Sequence, residues 1–403
     1  MGEETIKLTN KHKQQTVNWL IFISVLLVAT NLRVPLTSVG PLIPTIREDL
    51  LINNTLAGFI TTIPLLALAF ISPLVPKVAN RTGMGKAILI SLIILIAGFL
   101  IRSYTGVVGL FTGTIIIGVA IAFGNVLLPG FIKLNFPLRV GLVTGFYSIF
   151  MNTTGAIGSG LSVPLTTLGN IGWNGSLAFF VILAIIALIS WSVLMTRAEI
   201  KEINISSSQT KRKTNMWKSK LAWSITLFMG LQSLVFYTLV TWLPDLLLHH
   251  DYSQSEAGWM LFLLQISLFP TTFLVPIFAE RMKDQKALSI LGASLFLFGS
   301  LGLLFGSGFL IILSVMSFGL GSGVTFSLSM MFFTLRTTDA QQAAEVSGMA
   351  QSIGYLLAAI GPVLFGALYD LTGTWVGPMS LLIISALVLF VVGIQSGRKH
   401  VIE

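Results

Sequence analysis

"PLVPKVANR" at residues 73–81 returns as "FLVPIFAER" at residues 273–281, with Leu74/Leu274, Val75/Val275, Pro76/Pro276, Ala79/Ala279 and Arg81/Arg281 in register. The same offset of 200 pairs Pro44 with Pro244, Ala57-Gly58 with Ala257-Gly258, and Lys86 with Lys286. Separate strings that keep one offset in one direction indicate a chain built twice, as two parallel pseudo-repeats. The halves meet in a polar stretch, Arg197 to Lys218, whose "SSSQTKRKT" reads as a flexible or surface-lying connection.

Each half is strongly apolar. Hydrophobic residues make up 54% of the 403, charged residues only 10%, and the mean hydropathy is +0.89, far from the balance of a soluble domain. A membrane helix needs roughly 20 apolar residues. Twelve candidate spans satisfy this, at approximately 17–46, 55–78, 86–104, 107–134, 139–168, 174–195, 220–247, 255–278, 286–307, 309–334, 340–369 and 373–394. A barrel would show short alternating strands instead. The expected organisation is a tail 1–16, a six-helix bundle 17–196, a linker 197–219, a second six-helix bundle 220–394 and a tail 395–403. The first span follows Lys7, Lys11 and Lys13 like the core of a signal peptide, but it is too long and lacks a small-residue cleavage site.

The net charge of +9 has a topological reading. With the N-terminus inside, 21 of the 24 Lys and Arg fall in cytoplasmic segments, Arg47 and Arg102 in outer loops, and Arg33 within a span. The positive-inside rule then places both termini in the cytoplasm of a multi-pass bacterial inner-membrane protein. That distribution leaves no basic surface for nucleic acid. The absence of cysteine excludes disulfides and thiolate metal sites. His12, His249, His250 and His400 lie outside the spans, and no Walker A loop is present. No metal, cofactor or enzymatic constellation is expected.

Six spans plus six, joined by a basic loop, resemble the major facilitator superfamily of secondary transporters. "PKVANRTGMGK" at 76–86 is similar to that superfamily's loop signature at Ala79, Arg81 and Gly83, with Asn80 in the acidic place and Met84 in a basic one. The second copy keeps Glu280 before Arg281 but no following glycine. The resemblance implies that Asn80, Arg81, Glu280 and Arg281 belong to a conformational gate whose charge latch is altered here. Four longer strings, "NLRVPLTSVGPL" (31–42), "GNVLLPGFIKLNFPLRVGLVTGFYS" (124–148), "GLQSLVFYTLVTWLP" (230–244) and "SGMAQSIGYLLAAIGPVLFGALYDLTGTW" (347–375), resemble the cyanate and nitroimidazole permease branch.

The residue that speaks to function is Arg33, in the first span. An arginine at mid-bilayer depth costs about 2.5–3.5 kcal/mol on insertion scales. If the span runs from Val17 to Ile46, Arg33 lies within about 3 Å of its middle at 1.5 Å per residue. Thr30 and Thr37 share its face at i, i+3 and i+7. All fifteen Asp and Glu fall in tails, loops or span ends, so the expected partner is an anionic or electron-rich solute. Snorkelling, helped by Pro35, Pro41 and Pro44, is the alternative.

In this architecture the solute site lies at the midplane, lined chiefly by spans 1, 4, 7 and 10. Asn125 and Lys133 on span 4, Asn152 on span 5, Gln232 and Tyr237 on span 7, and Gln351 and Tyr355 on span 11 complete a candidate cage, each also suited to bonding between helices. The expectation is an all-α, twelve-span secondary or facilitative transporter working by rocker-switch alternating access, as a monomer in the lipid bilayer. Its partner is a small solute, with protons or a counter-solute as coupling candidates. A proton-coupled exporter of neutral or anionic drugs is the second reading.

Overall fold

The computed structural model describes residues 18–52, 54–168, 171–197 and 215–402. The basic tail 1–16 and most of the linker fall outside these residues. Among the described residues the regular structure is helical. Eleven helices are long and apolar enough to cross a membrane: Asn18–Leu42 (span 1), Met84–Tyr104 (3), Gly106–Asn135 (4), Val140–Thr167 (5), Gly172–Thr196 (6), Lys220–His249 (7), Trp259–Arg281 (8), Lys286–Phe305 (9), Phe309–Leu335 (10), Ala340–Thr372 (11) and Val376–Gly397 (12). A pair, Phe59–Ile71 and Val75–Thr82, bent by 59°, makes span 2 and brings the number to twelve.

Two of these spans depart from the continuous helices that hydropathy predicts, and proline explains both. Proline lacks the N–H that would close on the carbonyl four residues back. In span 1 the helix stops at Thr30. The turn that follows is tightened by bonds from the Asn31 and Leu32 amides to the Val28 and Ala29 carbonyls, at 3.0 and 3.1 Å. A four-residue helix, Val34–Thr37, carries Pro35, and a 3-10 turn, Gly40–Leu42, carries Pro41. The chain then continues as Ile43–Leu50. In span 2 the bend falls at Pro73, and Pro76 opens the second piece. Span 7, by contrast, runs unbroken to His249, two residues beyond its expected end at 247, so that His249 lies in its last turn and not outside the span.

The chain divides into two compact units. One comprises the residues up to Ala67, Lys77–Pro137 and the segment from Phe150 to the linker; the other comprises Leu68–Pro76, Leu138–Ile149 and everything after the linker. In the first unit, span 3 packs along span 4 and span 6. Gly98 meets Ile117, and Gly118 meets Pro64 and Ala67, each too close for a Cβ. Asn31 ties span 1 to span 6 through the Leu183 carbonyl, at 3.2 Å. Val39, Leu42 and Ile46 form an apolar cluster with Trp173 and Leu177.

In the second unit, spans 7 and 11 lie along each other, as do 8 and 10. Gly230 faces Gly354, and Gly361 faces Leu234 and Thr238; such small-residue contacts replace the hydrophobic drive that lipid does not supply. The bend of span 2 is held here. The Ala69 carbonyl, which Pro73 leaves without its helical donor, accepts a bond from Ser352 Oγ of span 11 at 2.5 Å. The Thr272 carbonyl, freed in the same way by Pro276, accepts from Ser327 Oγ of span 10 at 3.0 Å.

These hydroxyls are worth their usual interhelical share of stability. Ser352→Ala is expected to lower the unfolding free energy by about 0.5–2 kcal/mol, and Ser327→Ala by a similar amount. Thr166→Ala, which removes an exposed bond within its own helix, is expected to be neutral. Thermal unfolding of the purified variants in one detergent checks the order.

Candidate functional site

The first unit gathers its polar groups at the break of span 1. Arg33 is the residue just before the short helix Val34–Thr37, and its side chain crosses to span 5. The aliphatic stem lies over Gly155, where a Cβ would come within 3.1–3.3 Å of the Arg33 Cβ, Cγ and Cδ atoms. The guanidinium Nη1 donates to Asn152 Oδ1. One turn on, Thr37 Oγ1 donates to the Gly155 carbonyl at 2.7 Å, and Gly158 lets Val34 and Thr37 approach span 5. Arg33 and Thr37 are half-buried, Asn152 buried. An amide acceptor orients a guanidinium without cancelling its charge, because its dipole carries no net charge of its own.

The structure thus brings Arg33, Thr37 and Asn152 together. Thr30 takes a different place. The i, i+3, i+7 face assumes one continuous helix, and so does the distance of Arg33 from the middle of the span; the break at 31–33 removes both assumptions. Thr30 Oγ1 donates to the Leu27 carbonyl at 2.7 Å and accepts from Asn31, while its carbonyl receives Thr154 Oγ1 at 3.1 Å. Asn125 is buried on span 4 beside Gly124, which packs against Leu32, and Lys133 is half-buried in the last turn of that span.

In the second unit Gln232 and Gln351 are both almost fully buried. Gln232 donates to Ser233 Oγ at 2.7 Å and Gln351 to Ser347 Oγ at 2.8 Å. Tyr237 and Tyr355 are half-buried, and Tyr237 stacks edge-on with Phe236. Of the gate residues, Asn80 is half-buried and Arg81 exposed in the first unit. Glu280 in the second lies against the backbone of Gly141, where a Cβ would meet its carboxylate at 2.8 Å, and Arg281 is exposed. Among the described residues none of these four joins an ion pair.

Two arginines escape the sequence reading. Arg102, grouped with the outer-loop cations although the expected span 86–104 includes it, is inside span 3 and 1% exposed. Its Nη1 donates to the Pro35 carbonyl at 2.7 Å. Arg336, expected in a cytoplasmic loop, is 4% exposed. Its Nε donates to the Ser396 carbonyl at 2.6 Å, and its Nη2 to Gln285 Oε1 and to the Gly397 carbonyl. Burial pulls its pKa down to about 10, against the opposing pull of Asp284. The Arg336 carbonyl accepts the Ile402 amide at 2.8 Å, which docks the end of the chain with Ile402 buried. The available signal was position: Arg102 follows an unbroken apolar run within the span length a helix needs. Among the described residues the buried charged side chains are arginines, with no Asp or Glu.

This helical architecture agrees with the comparisons. The signature of the Major Facilitator Superfamily matches residues 21–362. The chain belongs to the Major Facilitator Superfamily. It is 41% identical over 384 residues to the 2-nitroimidazole transporter of Escherichia coli (strain K12), covering 95% of this chain and 97% of that protein. To the cyanate transport protein CynX of the same organism it is 26% identical over 350 residues, covering 87% and 90%. It is a superfamily transporter of that branch, a multi-pass membrane protein that moves small solutes. The fold matches that of the E. coli fucose:proton symporter FucP, with a TM-score of 0.71 at 12% identity over 92% of this chain and 97% of that one.

Placement on span 5 makes a size test possible. Gly155→Val should force the Arg33 stem aside and cost about 1–3 kcal/mol by overpacking. Gly160→Val, where a Cβ meets nothing within 4 Å, should cost less than 1 kcal/mol. Thermal unfolding of the pair in one detergent measures the difference.

Proposed function

We propose that this protein is a secondary or facilitative transporter of the bacterial inner membrane, with both termini in the cytoplasm, that carries a small anionic or strongly polar organic solute past Arg33 by alternating access. The observation that carries the reading is the setting of Arg33. A half-exposed guanidinium stands at the break of span 1, stretched over Gly155 and oriented by the Asn152 amide. A planar fork of donors suits a carboxylate, a cyanate-like anion or the oxygens of a nitro group. The relatives named for 2-nitroimidazole and cyanate handle solutes of that kind.

Asn152 orients the cation, Thr37 pins the turn that carries it to span 5, and Asn125 adds an amide from span 4. In the second unit Gln232, Tyr237, Gln351 and Tyr355 supply further polar groups for recognition. Lys133, near the end of span 4, draws anions along the path. Asn80, Arg81, Glu280 and Arg281 take part in the gate, where Glu280 acts through close packing on Gly141 rather than an ion pair. Coupling to protons or to a counter-solute is compatible with this arrangement, and so is simple facilitation.

The test is thermal unfolding of purified protein with cyanate, 2-nitroimidazole or a lipophilic cation, beside uptake of the first two into proteoliposomes. A ligand at a hundred times its Kd stabilises the folded state by about 2.7 kcal/mol. Arg33→Gln should fold, lose that stabilisation and lose transport; Lys133→Gln should raise KM several-fold and spare kcat. Stabilisation by the cation alone, unchanged in Arg33→Gln, sinks the reading.

A further inference from the structure

Arg102 is the most deeply buried cation in the first unit and has no part in the function just proposed. It is packed without slack. Gly113 of span 4 sits so close that a Cβ there would come 2.3 Å from the Arg102 amide nitrogen, and the Phe99 ring centroid lies 5.2 Å from the guanidinium carbon. One of the three guanidinium nitrogens is hydrogen-bonded to protein: Nη1, to the Pro35 carbonyl. A buried charge with so little compensation is less stable than an apolar side chain of similar volume. The bond to Pro35 is therefore what the arginine contributes.

That carbonyl belongs to the detached turn Val34–Thr37, which ends before the helix can continue onto it. Turns at 31–33 and 38–39 bound this segment, so its own backbone bonds do not fix its direction. Span 5 holds it on one side, through Arg33 to Asn152 and Thr37 to the Gly155 carbonyl. Arg102 of span 3 holds the Pro35 carbonyl.

The internal repeat separates this device from the common scaffold. At the offset of 200, Arg33, Pro35, Pro41 and Arg102 correspond to Ser233, Val235, Thr241 and Gly302, and span 7 is one unbroken helix, Lys220–His249. The break, the cation at 33 and the cation at 102 occur together in one half and are missing together from the other.

We propose that Arg102 is a positioning residue: its hydrogen bond to the Pro35 carbonyl fixes the detached turn of span 1, and so sets where Arg33 and Thr37 stand against span 5. The role is independent of which solute, if any, Arg33 meets, and its test uses none.

The natural chain lacks cysteine, so a single thiol reports cleanly. Val39→Cys puts one in the apolar cluster that follows the turn, at a position 2% exposed; Val126→Cys puts a control thiol in span 4, at a fully buried position. Both are labelled in the purified full-length protein with a methanethiosulfonate, in the parent, Arg102→Met and Arg102→Lys backgrounds. Arg102→Met should speed labelling of the Val39→Cys thiol by roughly tenfold or more, the factor expected when a charge-assisted bond no longer opposes local opening. Arg102→Lys, which still donates to the Pro35 carbonyl, should stay within about threefold of the parent, and the control thiol should be unaffected in both. Equal acceleration at both thiols, or none at Val39→Cys, or a lysine variant as fast as the methionine one, overturns the proposal. Should Arg102→Met give no folded protein, Arg102→Gln replaces it. It must label the Val39→Cys thiol faster than Arg102→Lys does, and equal rates reject the role.

Discussion

A backbone carbonyl without a donor inside a bilayer costs several kcal/mol, because no water is there to replace the bond. Proline creates such carbonyls wherever it bends a span, and the polar side chains of this protein are placed to answer them. Ser352 serves the Ala69 carbonyl that Pro73 frees, and Ser327 serves the Thr272 carbonyl that Pro276 frees. The Pro35 carbonyl, in the turn of span 1, is served by Nη1 of Arg102. A bend can then persist as a fixed shape instead of a fluctuation, and the placement of Arg33 and Thr37 on span 1 depends on one such shape.

The two halves show how duplication and departure divide the work. Positions that keep the offset of 200, such as Pro76 and Pro276, free equivalent carbonyls, those of Ser72 and Thr272, but span 2 bends at Pro73, where the second half has Phe273, and span 8 stays one helix. Their carbonyls nevertheless find different partners. Ser327 bonds to the Thr272 carbonyl, while the Ser72 carbonyl lies against Gly348, where a Cβ would come within 2.7 Å. A hydroxyl donor answers the carbonyl in one repeat, and a close backbone approach covers it in the other. The repeat is broken outright at Arg33 and its surroundings, where the site proposed above lies. The C-terminal half has its own irregular feature in Arg336, which ties Gln285 to the end of span 12 and holds the chain end through the Ile402 amide.

Hydropathy made the spans legible because twenty consecutive apolar residues have few alternative fates. It could not show the breaks, since Pro35 and Pro73 sit in runs as apolar as their neighbours. The kinship of Arg33 with Asn152 is half visible: both are polar groups within expected spans, but spacing along one helix says nothing about which span faces it. Thr30 shared a face with Arg33 only so long as the helix was continuous. Arg102 was hidden more thoroughly. A cation at the end of an apolar run reads by default as a loop residue or a snorkelling one, and its partner is a backbone carbonyl, which leaves no trace in the sequence.

Arg33 and Arg102 also show that residue type alone does not decide a cation's role in a membrane. Both are arginines of the first unit, and both make a bond to the same broken segment or from it. Arg33 is half-exposed and bonded to a side-chain amide, a partner that a side-chain movement alone can exchange. Arg102 is sealed beneath Gly113 and Phe99 and bonded to main chain, and exchanging that partner would mean unseating the turn itself. The first arrangement suits a binding group and the second a strut. Burial and the chemistry of the acceptor, more than the charge, separate the two.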